Sequence, residues 1–115
     1  MWRGGLRIEM GKLGSLLSDA KHLKKKLGKE CADKLIQRLD ELRGFRNFAD
    51  QMTLRAGRCH ELKGDRRGQF SVDLKHPKRL IFEPDHDPVP RKPDGGIDLG
   101  QVTRIILIEI ADTHQ

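Results

Sequence analysis

Eight basic residues crowd the stretch from Arg55 to Arg79: Arg55, Arg58, Lys63, Arg66, Arg67, Lys75, Lys78 and Arg79, opposed only by Glu61, Asp65 and Asp73. Within it, Lys63-Gly64-Asp65-Arg66-Arg67-Gly68 reads as a turn that enters an alternating apolar run. Lysine and arginine gathered on a turn and its adjoining strands make a phosphate-binding surface, because their hydrogen bonds to phosphate oxygens are charge-assisted. A solvated basic face is the plainer alternative. His60 stands just before the turn, and His114 follows Asp112 and Thr113 at the C-terminal end. Imidazole is suited to moving protons near neutral pH. Both histidines are therefore candidates for proton transfer, with an incidental structural role as the alternative; His22 and His76 make weaker cases.

The remaining reactive types carry less. Cys31 and Cys59 have no CxxC spacing, which argues against a disulfide framework or a four-ligand zinc site. Cys31 lies in a helical pattern and reads as a small buried residue. Cys59, between Arg58 and His60, is either a thiol of lowered pKa or an inert one. The triplet Asp85-His86-Asp87 reads as part of a solvated loop, with a metal site as the alternative that lacks a fourth ligand. Aromatic residues are only 4% of the chain and tyrosine is absent, so base-stacking platforms are not expected. Any nucleic acid would be held through phosphate and shape.

The 115 residues carry 23 Lys and Arg against 17 acidic residues, a formal charge of +6. That balance favours an acidic partner such as nucleic acid, an anionic membrane surface or an acidic protein. The length fits a single domain over 1–115. No apolar run approaches the ~20 residues needed to cross a bilayer, and Met1–Gly5 lacks the apolar segment of a signal peptide. A cytoplasmic protein without a membrane partner is the expectation.

These side chains need a scaffold, and apolar periodicity outlines one. Leu13, Leu16, Leu17, Ala20, Leu23 and Leu27 keep the spacing of one helix face, which predicts a helix over about 12–27 ended by Gly28. Ala32, Leu35, Ile36, Leu39 and Leu42 predict a second, over 29–43, ended by Gly44. The short link makes the pair an antiparallel hairpin. Phe45 and Phe48 close its end in a short helical turn reaching about Leu54. Alternation predicts strands at Leu6–Met10, at Phe70–Leu74 and at Arg79–Glu83. The run Thr103–Ala111 is apolar on both faces and predicts a well-covered strand. The fold class is α+β: a helical hairpin packed on a small antiparallel sheet, in the order β-α-α-β-β-β. A connection at about 83–100, with four prolines, five acidic and two basic residues, is either functional or mobile.

The block Arg58-Cys-His-Glu-Leu-Lys-Gly-Asp-Arg-Arg-Gly-Gln-Phe-Ser-Val-Asp-Leu, followed by Lys78-Arg-Leu-Ile-Phe and by Ile106–His114, resembles the HigB branch of the RelE/ParE toxin superfamily. That branch carries H-x-L-K-G-D-R-x-G-x-[WF]-S, a strand ending R-[IL]-x-F and a terminal acidic-D-Y-H. The resemblance spans nearly the whole chain. It implies a type II toxin, of the kind that serves plasmid maintenance, acting as a metal-independent and cofactor-free endoribonuclease. Such a toxin cleaves mRNA on the ribosome and is neutralised by a cognate antitoxin. By position, it implies His60 and His114 for proton transfer, Lys63, Lys75 and Arg79 for phosphate charge, and Asp112 for orienting the site or contacting the base. Arg58, Arg66, Arg67, Lys75 and Lys78 would bind RNA. Thr113 stands where the family has Tyr, which implies a retained but reduced activity. The alternatives are a toxin-fold protein that only binds antitoxin or ribosome, and a ParE-like gyrase inhibitor.

Overall fold

The structure is a computed structural model and describes residues 6–54 and 56–112. The helices are α1 (Gly14–Leu17), α2 (Ala20–Leu27), α3 (Lys29–Arg43) and α4 (Phe48–Leu54), and the strands are β1 (Arg7–Glu9), β2 (His60–Glu61), β3 (Phe70–Asp73), β4 (Lys78–Pro84) and β5 (Arg104–Asp112). The strands form one sheet in the order β1-β5-β4-β3-β2. The α+β class is as the sequence implies.

The expected helix over 12–27 is broken. Asp19 adopts an extended backbone (φ −136°, ψ 113°), and its carboxylate accepts the Lys21 N–H at 2.9 Å. This N-cap starts α2 afresh, although the leucine stripe runs on through the break. Gly28, at φ 83°, ends α2 and begins α3, a backbone setting that costs glycine little.

The sheet also departs from a fully antiparallel one. β1 pairs with β5 in parallel, with Ile8 opposite Ile105, while β2, β3, β4 and β5 pair antiparallel in turn. The relative direction of β1 and β5 depends on the path of the whole chain between them, which local alternation cannot encode. β2, a two-residue edge strand, was too short to show a period.

One sheet face packs on the α2–α3 hairpin. Leu23, Ala32, Leu35, Leu39 and Leu42 share a buried cluster with Phe70, Val72, Leu80, Phe82, Ile105 and Leu107. Phe48 meets the rings of Phe70 and Phe82 edge-on at 4.7 and 5.4 Å. A bulge in β5 then changes what its residues face. Ile81 pairs with Glu109 but Phe82 pairs with Leu107, leaving Ile108 as the extra residue. Ile105 and Leu107 face the helices before the bulge and Ile110, opposite Leu80, after it. Glu109 and Ala111 are thereby turned to the other face. Coverage of β5 is less complete than its composition suggests: Ile106, Ile108 and Ile110 are half-buried.

The 83–100 connection is built rather than loose. Asp85 N–H donates to Arg104 O at 2.8 Å, and Thr103 N–H donates to His86 Nε2 at 3.1 Å. Arg91 bridges Ile97 in a small hairpin, closed further by Lys92 N–H to Gly96 O and Asp98 N–H to Pro90 O.

Candidate active site

Register partners across antiparallel strands share a face. His60, Ser71, Ile81 and Glu109 therefore make one row across the sheet on the side away from the α2–α3 hairpin, and Asp73, Arg79 and Ala111 make the next. Lys78 pairs with Asp112 at the end of β5. The alternation that buries Phe70, Val72, Leu80 and Phe82 on one side forces Ser71, Asp73, Arg79 and Ile81 to the other. Strand geometry puts the Cα atoms of His60 and Arg79 roughly 12 Å apart, two strands over and two residues along.

Asp73 organises the second row. Its Oδ1 lies 3.3 Å from Arg79 Nε and its Oδ2 lies 3.0 Å from Arg58 Nε. The Arg79 side chain is only 13% exposed, that of Arg58 77%. Arg58 also carries a positive φ of 55°, a setting that costs a non-glycine residue free energy. Behind them, Arg38 of α3 donates from Nε to the Asp73 carbonyl at 2.7 Å and from Nη1 to Glu41 at 2.9 Å. A side chain at Gly57, φ 66°, would meet Arg38 Nε at 2.6 Å, so glycine is what leaves room for this brace.

Around His60 the contacts are fewer. Its Nδ1 lies 3.2 Å from Glu61 O. A carbonyl only accepts, so this bond puts the proton on Nδ1 and leaves Nε2 as the proton acceptor. Ser71 Oγ, beside it in the row, is buried without a hydrogen-bond partner among the described residues. Arg66 reaches across from the turn at Gly64–Arg66, donating to Glu109 Oε2 at 2.7 Å and to Gln69 Oε1 at 2.9 Å. Lys63 and Arg67 are exposed on that turn, and Lys78 Nζ lies 3.7 Å from Asp112 Oδ1.

The structure thus gathers His60, Arg58, Arg66 and Arg79 on or beside one sheet face, with Lys63 and Arg67 on its flanking turn, whereas Lys78 and Asp112, at the strand end, fall by alternation on the side of Leu80 and Ile110. Lys75 goes elsewhere. It pairs with Glu30 of α3, on the helical side of the sheet. His114 and Thr113 lie outside the described residues. Asp73, Glu109 and Arg38 are constituents of the site that residue spacing did not single out. Asp73 had one available signal, its place in the alternation opposite Phe70 and Val72.

Cys59 is not a reactive thiol. It is buried in the core, and burial pushes its pKa up to about 12 from an ordinary 9.0, against a smaller opposing hydrogen bond with Gln51. The neighbouring Arg58 does not compensate for the lost solvent. Among the described residues, no group of three or more His, Cys, Asp and Glu side chains is placed to hold a metal ion, and no helix is long and apolar enough to cross a membrane.

No family model matches the sequence, and no curated protein matches it. Among solved structures, the chain is similar to a YoeB/ParE toxin from Agrobacterium tumefaciens, with a TM-score of 0.54 at 14% identity, over 95% of this chain and 100% of that one. At that identity the likeness is one of fold.

Proposed function

We propose that this chain is the toxin of a type II toxin–antitoxin pair, a HigB-like endoribonuclease that cuts mRNA on the ribosome and is silenced by a cognate antitoxin. The observation that carries the reading is the largely buried Arg79, anchored by Asp73 in the row next to His60, on the face of a RelE/ParE-type sheet away from the α2–α3 hairpin. In the reaction, a ribose 2′-oxygen attacks the adjacent phosphorus, the P–O5′ bond breaks, and a 2′,3′-cyclic phosphate and a 5′-hydroxyl result. One group takes the 2′-OH proton and another supplies a proton to the departing 5′-oxygen. His60, through Nε2, and His114 are the pair for these transfers. Arg79, with Arg58 on the same Asp73 carboxylate, offsets the charge gathering on the phosphate oxygens. Arg66, already tied to Glu109, shapes the wall.

An acidic antitoxin segment suits a chain of net charge +6 and would associate faster at low salt than at high salt. Thr113 at the family's Tyr position favours a second reading, a toxin fold that binds its partners but does not cut. Mapping mRNA 5′ ends in a purified translation system, at single turnover, tests the first. Cuts within translated codons that vanish in Arg79→Ala support it. Intact mRNA with ribosome binding retained overturns it for the binding module, and inhibition of gyrase in place of translation overturns both.

A further inference from the structure

The connection over 83–100 makes a cleft that the proposed cleavage site does not use. The cleft has a volume of about 800 Å³, and its lining includes Glu83, Asp85, Arg91, Ile97, Arg104 and Ile106. Glu83 and Ile106 are register partners, on the same sheet face as Arg79 and Ile81. Glu83 is four positions along β4 from Arg79, roughly 13 Å along the strand. The cleft is therefore a continuation of the site's own face. Its outer wall is held at both feet, by Asp85 N–H on Arg104 O and Thr103 N–H on His86 Nε2. A neighbouring recess of about 540 Å³ shares Gly68, Arg91 and Ile97 with it and adds Arg67 of the basic turn.

The lining chemistry narrows the occupant. Ile97 and Ile106 offer an apolar surface to a flat ring. Arg91 and Arg104 offer cations at the rim, where both are exposed. Glu83 and Asp85, both half-buried, put acceptors inside, where a bare phosphate or a polyphosphate would be repelled. A ligand must then carry an apolar ring, hydrogen-bond donors on that ring and an anionic end. Of the groups on an RNA strand, a nucleotide whose base bears an exocyclic amine fits, since carboxylates accept from such amines. Uracil offers carbonyl oxygens in that place.

Resting on the reading of the chain as an RNA-cleaving toxin, we infer that this cleft is a subsite for a nucleotide flanking the scissile phosphate, and that Glu83 and Asp85 make it select amino-bearing bases over uracil. The 83–100 connection is, on this account, the determinant of cleavage sequence.

Titration of the intact protein with CMP and with UMP, followed by backbone amide NMR shifts, tests this without requiring turnover. CMP should move the amides of Gly68, Ile97 and Ile106 and bind roughly tenfold more tightly than UMP, the factor one hydrogen bond to a charged group supplies. Glu83→Gln with Asp85→Asn should reduce CMP to the UMP level, and Arg91→Ala should weaken both equally. Equal affinities, or shifts confined to the strands around His60 and Arg79, overturn the subsite. So does a lysine hexapeptide that moves the same amides more tightly than CMP, which would assign the cleft to a basic peptide. mRNA cut normally without CMP selectivity removes the subsite alone. CMP selectivity in a protein that cuts no mRNA removes the enzyme reading and leaves the cleft as a nucleotide site.

Discussion

Asp73 and Arg79 face each other twice, as register partners across β3 and β4 and again through their side chains, with Oδ1 and Nε 3.3 Å apart. The carboxylate takes the Nε edge of the guanidinium and so fixes the plane in which the group lies. Asp73 is on this basis a positioning residue for Arg79. Removing a cation that stabilises the transition state typically costs roughly 100- to 1,000-fold in rate, which is the expectation for Arg79→Ala in single-turnover mRNA cleavage. Asp73→Asn should cost less, on the order of tenfold, and mainly in kcat. Residues that act as a unit are non-additive, so Asp73→Asn should add almost nothing in the Arg79→Ala background. Fully additive losses would show that Asp73 acts elsewhere.

The core makes a cleaner prediction because two neighbours on α3 differ so widely. Leu35 is 0% exposed and Ile36 is 45% exposed. Leu35→Asp puts an unpaired carboxylate among apolar groups, costing several kcal/mol, and should leave no cooperative thermal transition at 37 °C and above. Ile36→Asp should shift stability by no more than about 0.5 kcal/mol, as surface changes usually do. Equal thermal midpoints for the two would show that α3 does not pack as described.

How much of this was legible in the sequence follows the reach of each interaction. The leucine stripe of α3, the stop at Gly28 and the alternation of β3 are local patterns, and local patterns were enough. The break at Asp19 was hidden because its side-chain cap competes with a stripe that stays in phase on either side. The parallel β1–β5 pair, the Ile108 bulge and the tie from Arg66 to Glu109 depend on register between distant strands. Register also decides the site: Arg79 and Lys75 looked alike as members of one basic run. One faces Asp73 on the side of the sheet away from the hairpin and the other pairs with Glu30 on the helical side.

Cys59 should report on stability at high pH. Its folded pKa, about 12, is above the ordinary 9.0 expected when unfolded. Between those values the unfolded chain has lost the thiol proton and the folded chain keeps it. The stabilisation is therefore whole below about pH 9 and is lost as pH rises toward 12, at up to about 1.4 kcal/mol per pH unit. Lysines titrate in the same range, so the measurement is the difference between wild type and Cys59→Ala in chemical denaturation at pH 7 and pH 10.5. The wild type should lose more. In the native protein at pH 7.5, Cys59 should also resist iodoacetamide, whereas rapid alkylation would contradict its burial.

The last prediction concerns the protons. The Nδ1 contact with Glu61 O fixes which nitrogen of His60 is available, so the ring should act through Nε2. His60→Gln keeps a polar group of similar reach and removes the exchangeable base. Cleavage should fall by ~100-fold or more, and one limb of the pH–rate profile should flatten, as general acid–base catalysis requires. His114→Ala should flatten the other limb if the two histidines divide the transfers. Thr113→Tyr separates a weakened enzyme from a binding module. Threonine neither stacks on a base nor exchanges protons near neutrality, whereas tyrosine offers a ring and a hydroxyl. Restoring it should raise single-turnover cleavage on ribosomes by at least several-fold, with Asp112 and Lys78 unchanged. A wild type and a Thr113→Tyr variant that both bind ribosomes and leave mRNA intact would rule out catalysis by this sheet face.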